Sequence, residues 1–356
     1  MSGGPRGRRG RTHQVRLSIP LNYAADFKDA ADQAVAFEKA GADIVWVAEA
    51  YGFDAPSQMG YLAAKTERIL IGSGILPIYS RTPALLAQTA AGVDSLSGGR
   101  AILGLGASGP QVIEGWHGVA YDRPLERTRE IIDICRRVWR REVLTNDGVY
   151  QLPLPPERGT GLGKPLKLLT HPVRASIPIW VASLGPKNVA MTAEVADGWL
   201  PMLYIPELAS TVWGDALAKG TANRSPDLAP LEVCAGSLVA VGDGVEGLRD
   251  LARPSIALYV GGMGARGRNF YNTLIQRYGF EAEAARIQDL YLAGHKKEAA
   301  AAVPDELLEK TSLVGSEGYV KDRIAAFQEA GVTVLNVIPA DAQPARLVER
   351  LKEWIA

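Results

Sequence analysis

Short apolar runs rich in β-branched residues alternate along this chain with longer segments that have helical periodicity. The candidate strands are residues 15–20, 43–48, 69–75, 100–105, 178–182, 198–201, 233–241 and 332–338. Most are continuously apolar, as expected for parallel strands that are buried on both faces. Eight such strands, most of them followed by a helix, favour an α/β fold of the (β/α)8 barrel type over a doubly wound sheet.

Helical patterns occupy the segments between these strands. The clearest are residues 25–40, 83–96, 124–141 and 317–330. Pro83 and Pro124 suit first-turn positions, and Ser316 is a candidate N-cap. Gly41 and Gly331 are placed to end two of these helices.

The length of the chain indicates where a barrel would carry insertions. A barrel of this type takes about 250 residues, and this chain has 356. The expected excursions are a Pro- and Gly-rich loop at about 142–177 and a helical segment without an obvious strand at about 253–315. Residues 1–14 are interpreted as a flexible basic arm, and residues 15–356 as one barrel domain.

Composition excludes several classes of function. The chain has 39 Lys and Arg and 39 Asp and Glu, a balance that argues against a nucleic-acid partner. No apolar run reaches the roughly 18 residues of a membrane helix, and no signal sequence is complete. Cys135 and Cys234 lie far apart, which argues against disulfides and thiolate metal sites and suggests a reducing compartment. We therefore expect a cytoplasmic protein with a small-molecule substrate and no membrane partner.

Metal chemistry is not indicated by the sequence either. The four histidines, His13, His117, His171 and His295, have no metal-ligand spacing. Catalysis in a barrel takes place at the carboxyl ends of its strands. The carboxylates expected there, Glu49, Asp243 and Asp341, are scattered, so no metal site is predicted. The glycine- and serine-rich strand ends suit a large planar or phosphorylated cofactor better.

GLGASG at 104–109 matches the G-x-G-x-x-G dinucleotide pattern. A Rossmann fingerprint belongs to the first strand–helix turn, and here three such units precede it. The acidic residue about twenty positions on, Glu130, lies in a helical pattern. A turn required for packing and a turn that lets the backbone approach a ligand both remain open.

Two further motifs interrupt strand ends. In VASLGPKNVAMTAEVADGWLP (181–201), a short loop separates a strand from a helix that opens at Pro186. A helix start of this kind can bind phosphate, although an ordinary capped helix has the same spacing. In IGSGILPIYSRTP (71–83), two glycines indicate either a bulge approached by another group or a weakened strand end.

At these motifs the chain resembles the bacterial-luciferase-like superfamily, and specifically its coenzyme F420-dependent oxidoreductases, similar to methylenetetrahydromethanopterin reductase. The resemblance extends over AEAYGFDAPSQMGYLAA (48–64), SGGRAILGLGASGPQVIEGWHG (97–118), ADGWLP (196–201), MGARGRNFYN (263–272) and EGYVKDRIAAFQEAGV (317–332). It implies a (β/α)8 barrel with an insertion region, usually a homodimer. It also implies F420 or FMN bound with its tricyclic ring at the strand carboxyl ends.

The resemblance also implies which residues hold the cofactor. A bulge with a cis peptide between Gly74 and Ile75 would support the back of the ring. The implied cofactor-binding residues are Ser73, Gly74, Ile75, Gly106, Ala107, Ser108, Ala182, Ser183, Leu184, Gly185 and Lys187. Of these, Ser183, Leu184 and Gly185 match the phosphate loop, and Lys187 adds a charge beside it. Arg266 and Arg268 are placed either to meet the acidic F420 tail or simply to be solvated.

Catalytic residues are less clearly implied. Glu49 matches an acidic position near the reactive side of the ring, and its alternative role is to cap the 49–55 loop. Some relatives have a His and a Glu where this chain has Ala50 and Pro110. His117 is therefore the expected substitute proton donor, unless it is a solvated loop residue. The aromatic residues expected to line the substrate space, or else to pack in the core, are Tyr51, Tyr79 and Trp116.

The resulting hypothesis is an F420-dependent oxidoreductase that transfers a hydride between the deazaflavin ring and a small, neutral or hydrophobic organic substrate. One alternative is an FMN-dependent luciferase-like monooxygenase that uses reduced flavin and oxygen. A second is a non-catalytic F420- or flavin-binding protein, which the replacement of the usual His and Glu keeps open.

Overall fold

The computed structural model describes residues 15–22 and 26–355. Its strands, in chain order, are β1 (Arg16–Pro20), β2 (Ile44–Val47), β3 (Leu70–Ser73), β4 (Leu76–Pro77), β5 (Ala101–Gly106), β6 (Asn146–Asp147), β7 (Gln151–Leu152), β8 (Ile179–Ala182), β9 (Gly198–Trp199), β10 (Glu232–Ala235), β11 (Leu238–Val241), β12 (Leu313–Gly315), β13 (Val334–Asn336) and β14 (Ile338–Pro339).

The α-helices are α1 (Phe27–Lys39), α2 (Ala55–Lys65), α3 (Pro83–Ser97), α4 (Pro110–Gly115), α5 (Pro124–Trp139), α6 (Pro186–Val195), α7 (Pro206–Ala222), α8 (Arg253–Ala257), α9 (Phe270–Arg277), α10 (Glu281–Leu292), α11 (Lys296–Ala301), α12 (Asp305–Thr311), α13 (Glu317–Glu329) and α14 (Pro344–Ile355). Two 3-10 helices lie at Pro156–Arg158 and Glu246–Ala252, and a π-helix at Leu258–Gly262.

Eight parallel strands form a closed barrel. Their order is β3-β2-β1-β13-β10-β9-β8-β5, and pairing of β3 with β5 completes the circle. The register places Ser18 beside both Ile44 and Asn336. The predicted (β/α)8 architecture is confirmed.

Two indole rings fill the inside of this barrel. Trp46 of β2 and Trp180 of β8 meet with ring centroids 5.4 Å apart. A Cβ added at Gly72 would lie 2.3 Å from the Trp46 ring, and one at Gly198 would lie 2.1 Å from the Trp180 ring. The two strand glycines therefore provide the space that the two tryptophans occupy, which is the large-against-small packing of a small barrel.

The helices surround the barrel and begin and end as their sequence signals predict. Asp26 caps α1 by accepting from Lys28 N, and Gly41 follows that helix with a φ of +93°. Residue 25, where this helix was expected to begin, lies outside the described residues. Ser316 caps α13 by accepting from Tyr319 N, and Gly331 follows it with a φ of +90°.

The prediction of single strands at 233–241 and 332–338 is wrong. Each segment forms two short strands, and only β10 and β13 belong to the barrel. The strand that would run through 233–241 is interrupted at Gly236, where a Cβ would lie 2.1 Å from the Asn336 carbonyl oxygen. Strand β11 instead lies at the centre of a second sheet, where it pairs with β14 on one side and β12 on the other. Strand β12 lies in a segment expected to hold no strand. Asp243 and Asp341 consequently follow this second sheet rather than the rim of the barrel.

The two expected insertions differ in character. Residues 142–177 contain the antiparallel pair β6–β7 and one short 3-10 helix, and helices α8 to α12 occupy most of residues 253–312. The arm at 1–14, with His13, lies outside the described residues, so the division into arm and barrel domain stays a prediction. In the described part of the chain, no helix is both long and apolar enough to span a membrane.

Candidate cofactor and substrate site

A backbone bulge projects into the mouth of the barrel between β3 and β4. Its Gly74–Ile75 peptide bond is cis, as the resemblance implies, and Gly74 N donates to Val47 O over 2.8 Å. A Cβ at Gly104 would lie 1.7 Å from the Ser73 carbonyl oxygen, and one at Gly106 would lie 3.0 Å from the Ile75 side chain. The bulge therefore fits only because β5 carries glycine at both positions.

This packing explains the GLGASG motif. Its first two glycines make room for the bulge, and β5 is the fourth barrel strand along the chain rather than the first. The dinucleotide-fingerprint interpretation is therefore wrong. Glu130 has a structural role instead, because its carboxylate accepts hydrogen bonds from the backbone nitrogens of Val149 and Tyr150.

The Ser73 side chain forms its hydrogen bonds within the sheet. It is fully buried, and its hydroxyl both donates to Gly104 O and accepts from Gly104 N, each over 2.8 Å. A role for Ser73 in cofactor binding would have to come from its backbone. The side chain itself stabilises the β3–β5 junction beneath the bulge.

The three segments predicted to bind the cofactor lie next to one another. Gly106 is paired in register with Ala182, and a Cβ at Gly106 would contact both Ile75 and the Ala182 side chain. The loop that starts at Ala107 leaves β5 with Ser108 at a φ of +58°, a backbone conformation uncommon for a residue with a side chain. Strands β3, β5 and β8 thus form one continuous arc that carries all three segments.

The loop between β8 and α6 is held from behind by two indoles. Trp199 Nε1 donates to Ser183 O and Trp213 Nε1 donates to Leu184 O, both over 2.9 Å. Gly185 is the N-cap of α6 and supplies no side-chain cap. The first-turn amides of this helix therefore have no intrahelical acceptor, which is the arrangement that binds phosphate.

Two polar side chains near this loop differ in whether an anion could reach them. The Ser183 hydroxyl is 2.9 Å from the Thr192 hydroxyl and is buried with it. Lys187, on the first turn of α6, is exposed. The backbone amides and Lys187 are therefore the groups that an anion would meet first.

Glu49 lies at the barrel mouth after β2, and both of its carboxylate oxygens accept hydrogen bonds. Arg81 donates to both of its carboxylate oxygens over 2.7 Å, and Ala55 N donates to Oε2 over 3.0 Å. The ion pair with Glu49 raises the pKa of Arg81. Burial opposes ionisation of the neighbouring Asp54, but hydrogen bonds from Ser57 and Arg81 outweigh it and lower the Asp54 pKa.

This network matches the alternative role considered for Glu49. Its carboxylate closes the 49–55 loop and caps the start of α2 through Ala55, while Ala50 adopts a φ of +47°. The Glu49 carboxylate thus accepts three hydrogen bonds, two of them from a guanidinium. Its oxygens are consequently occupied by groups of the protein itself.

His117 has a free ring nitrogen. It follows α4, which starts at Pro110 just beyond the carboxyl end of β5. Its Nε2 is buried, and in the described part of the chain it has no hydrogen-bond partner. This nitrogen is therefore available to a ligand, as a donor or an acceptor according to the tautomer of the ring.

The three expected substrate-lining aromatics have different environments. Tyr51 and Trp116 are 56% and 67% exposed, respectively, on loops at the mouth. Tyr79 is buried, and its hydroxyl donates to Asp122 O over 2.8 Å. Burial raises the Tyr79 pKa well above its ordinary value. Tyr79 thus packs in the wall, where its ring lies 5.1 Å from that of Tyr121.

Sequence reasoning missed Arg81 and Phe270. Arg81 lies within the 71–83 motif. The sequence signals its role only by a cationic residue just after a strand end and by two acidic residues in the 49–55 loop. Phe270, in MGARGRNFYN, is 58% exposed, with its ring 3.9 Å from the position of a Cβ at Gly185. It brings the helical insertion against the phosphate-type loop.

The other residues of that motif are accounted for locally. The Asn269 and Asn272 amides donate to carbonyls of the π-helix, including that of Val260. Arg266 forms an exposed ion pair with Asp289, and Arg268 is exposed. Within the described ranges, no group of three or more His, Cys, Asp or Glu side chains is arranged to hold a metal ion.

Comparison with known proteins gives consistent matches. The family model described as luciferase-like monooxygenase matches residues 8–334. A provisionally named coenzyme F420-dependent oxidoreductase of Mycobacterium tuberculosis is 42% identical over 93% of this chain and 97% of its own length. The 5,10-methylenetetrahydromethanopterin reductase of Archaeoglobus fulgidus is 30% identical over 83% of this chain and 85% of its own.

Among solved structures, the fold is similar to that of the coenzyme F420-dependent tetrahydromethanopterin reductase from Methanopyrus kandleri. The two superpose with a TM-score of 0.78 at 20% identity, covering 96% of this chain and 98% of that one. At this level of identity the likeness concerns the fold alone.

Proposed function

Because this chain belongs to the luciferase-like monooxygenase family, we propose that it is a coenzyme F420-dependent oxidoreductase. It transfers a hydride between the deazaflavin ring and a small, uncharged or hydrophobic organic substrate. The two sequence relatives described above carry F420-dependent oxidoreductase and methylenetetrahydromethanopterin reductase names, which favours F420 over FMN.

The observation that carries this proposal is the bulge at Ser73–Ile75. The Ser73 carbonyl of the bulge packs on Gly104 and the Ile75 side chain packs on Gly106, so neither glycine position has room for a Cβ behind the bulge. A planar ring placed against such a surface would be supported on one face and open to a substrate on the other. Holding two reactants face to face in this way is a large part of what a protein contributes to hydride transfer.

The remaining cofactor contacts follow from the same arc of strands. The uncapped amides at the start of α6 and the exposed Lys187 would hold the phosphate, with Ser183 to Gly185 kept in shape by Trp199 and Trp213. Ala107 and Ser108 would flank the chain that joins ring and phosphate. When bound, F420 supplies the ring carbon that gives or accepts the hydride.

Proton transfer is assigned to His117 rather than to Glu49. The Glu49 carboxylate is occupied by Arg81 and Ala55, whereas the buried Nε2 of His117 is unpaired within the described chain. Tyr51 and Trp116 supply apolar surface around the open side of the mouth. This lining favours a neutral substrate, and a strongly bound anion beside Tyr51, away from the α6 loop, would count against it.

The experiment that tests the cofactor is a side-by-side titration of the purified protein with F420 and FMN, followed by fluorescence quenching or calorimetry. Tight binding of F420 with weak binding of FMN is expected. Preference for FMN would overturn the proposal and favour the monooxygenase, which oxygen consumption with reduced flavin would then detect. Binding of F420 without reoxidation of its reduced form by any of a series of ketones and aldehydes would favour the non-catalytic binding protein.

A homodimer is part of the proposal, as the resemblance implies. Light scattering at micromolar concentration tests it, and a monomeric mass would refute it. The F420 titration is independent of this result.

A further inference from the structure

Asn336 is the last residue of β13 and lies at the mouth of the barrel, half-buried. The hydroxyl of Ser18, a fully buried residue on the adjacent strand β1, donates to Asn336 Oδ1 over 2.9 Å. The same hydroxyl lies 3.3 Å from the Cys234 sulfur on β10, the strand on the other side of β13. The Asn336 side chain is therefore on the inner face of the barrel.

The hydrogen bond from Ser18 also orients the amide. Because Oδ1 is turned toward a buried donor, Nδ2 is the end of the amide that remains for another partner. Among the hydrogen bonds within the described residues, none has the Asn336 amide nitrogen as its donor. The result is a neutral N–H donor held in a fixed direction at the rim.

The position of β13 identifies what this donor faces. Around the barrel, β13 is three strands from β3 and three strands from β8, and it is opposite β5. The three segments proposed to hold the cofactor all follow the arc β3–β5–β8. A ring resting against the bulge would therefore turn its open face toward β13, and a substrate stacked on that face would lie between the ring and Asn336.

We infer that Asn336 is a specificity-determining residue whose amide nitrogen donates a hydrogen bond to an oxygen of the substrate. The inference rests on the proposed function, since it takes the bulge as the support of the ring. It also narrows the substrate class to uncharged molecules that carry a carbonyl or hydroxyl oxygen. Ser18 acts through Asn336 as a positioning residue.

The test uses the protein saturated with oxidised F420, so that a ketone binds without being reduced. Two probes of nearly equal shape are titrated by calorimetry: cyclohexanone, which has an acceptor oxygen, and methylenecyclohexane, which has none. Loss of one neutral hydrogen bond in Asn336→Leu is expected to weaken cyclohexanone binding about fivefold and to leave methylenecyclohexane binding unchanged.

Two further variants identify the donor. Asn336→Asp keeps the shape but replaces the N–H group with an acceptor, so it is expected to lose at least as much cyclohexanone affinity as Asn336→Leu. Ser18→Ala frees the amide to rotate and should cause a smaller shift in the same direction. Cys234→Ser is the matched control, because Cys234 lies within hydrogen-bond distance of Ser18 and has no hydrogen bond to Asn336 among those of the described residues, and it should keep the wild-type ratio of the two affinities.

Several results would overturn the inference. These are an absence of cyclohexanone binding to the wild-type complex, a wild-type affinity ratio in Asn336→Asp, or an equal change for both probes in Asn336→Leu. A change in Cys234→Ser as large as that in Asn336→Leu would also do so, since it would indicate a general packing effect. Failure of the wild-type protein to bind F420 in the first step would instead refute the proposed function.

Discussion

Arg81 and Glu49 form a bidentate ion pair at the barrel mouth, with Nη1 2.7 Å from Oε1 and Nη2 2.7 Å from Oε2. Only 12% of the Arg81 side chain and 8% of the Glu49 side chain are exposed. Removing one partner of so buried a pair leaves an uncompensated charge. The pair therefore holds the 49–55 loop in place.

For this ion pair we predict that Arg81→Ala lowers the free energy of unfolding by about 3 kcal/mol. The double variant Arg81→Ala with Glu49→Gln should recover part of the loss, because the second change removes the unpaired charge. Urea unfolding of the four proteins in this cycle measures the coupling. Additive effects of the two substitutions would contradict the assignment.

The glycines beneath the bulge give a second prediction. Gly104→Ala places a methyl group where the Ser73 carbonyl oxygen lies, so the bulge must move. We expect a loss of at least about 2 kcal/mol of stability and weaker F420 binding. Gly92→Ala is the control, since Gly92 is on an exposed face of α3 with nothing within 4 Å of its Cβ position, and there alanine should be neutral or stabilising. Wild-type F420 affinity in Gly104→Ala would show that the bulge does not contact the cofactor.

A third prediction concerns the loop before α6. Gly185 has an ordinary negative φ, and its nearest neighbour is the edge of the Phe270 ring at 3.9 Å. Gly185→Val should therefore fold, yet place its side chain over the first-turn amides and weaken F420 binding at least tenfold, or about 1.4 kcal/mol.

The matched control for Gly185→Val is Gly318→Val. Gly318 lies on the first turn of α13, with nothing within 4 Å of its Cβ position. This variant should keep wild-type affinity for F420 in the same titration. Unchanged affinity in Gly185→Val would remove the loop from the cofactor site.

A fourth prediction concerns acid stability. The buried carboxylate of Glu38 on α1 accepts from the backbone nitrogens of Glu67, Arg68 and Ile69 just before β3. Burial opposes ionisation, but these hydrogen bonds outweigh it and lower the Glu38 pKa below its ordinary value of 4.5.

Because the folded-state pKa of Glu38 is the lower one, its stabilisation is complete above about pH 5 and is lost as pH falls through the folded-state pKa. Glu38→Gln should cost about 1.5 kcal/mol at pH 7. The difference from wild type should shrink below pH 4, which denaturant unfolding at several pH values measures. Glu329→Gln, at an exposed position at the end of α13, should show no such pH dependence. A cost independent of pH would refute the role of the charged form.

Much of the architecture could be predicted because the determining interactions are local. Gly41, Gly331 and Ser316 mark helix ends through backbone conformation and capping, which depend on a few adjacent residues. The short, continuously apolar strands likewise indicate burial on both faces. These local signals are enough to predict the barrel without knowledge of which strands pair.

The strand breaks at Gly236 and Val337 could not be predicted in this way. The run VCAGSLVAV is apolar apart from Ser237, and the break depends on Asn336, whose carbonyl oxygen lies where a Cβ at Gly236 would be. That neighbour is a hundred residues away in the chain, and β11 leaves the barrel to pair with β12 from a third segment.

The candidate site likewise combines features that local sequence predicts with features that depend on contacts between distant segments. Hydrophobic periodicity and capping act over a few residues, so the barrel, several helix ends and the residue types at the strand ends follow from the sequence alone. What those residues do depends on the folded chain: Gly104 and Gly106 make room for the bulge, Arg81 pairs with Glu49, and Tyr79 packs in the wall. These roles depend on distances between segments far apart in the chain, and barrel closure alone sets those distances.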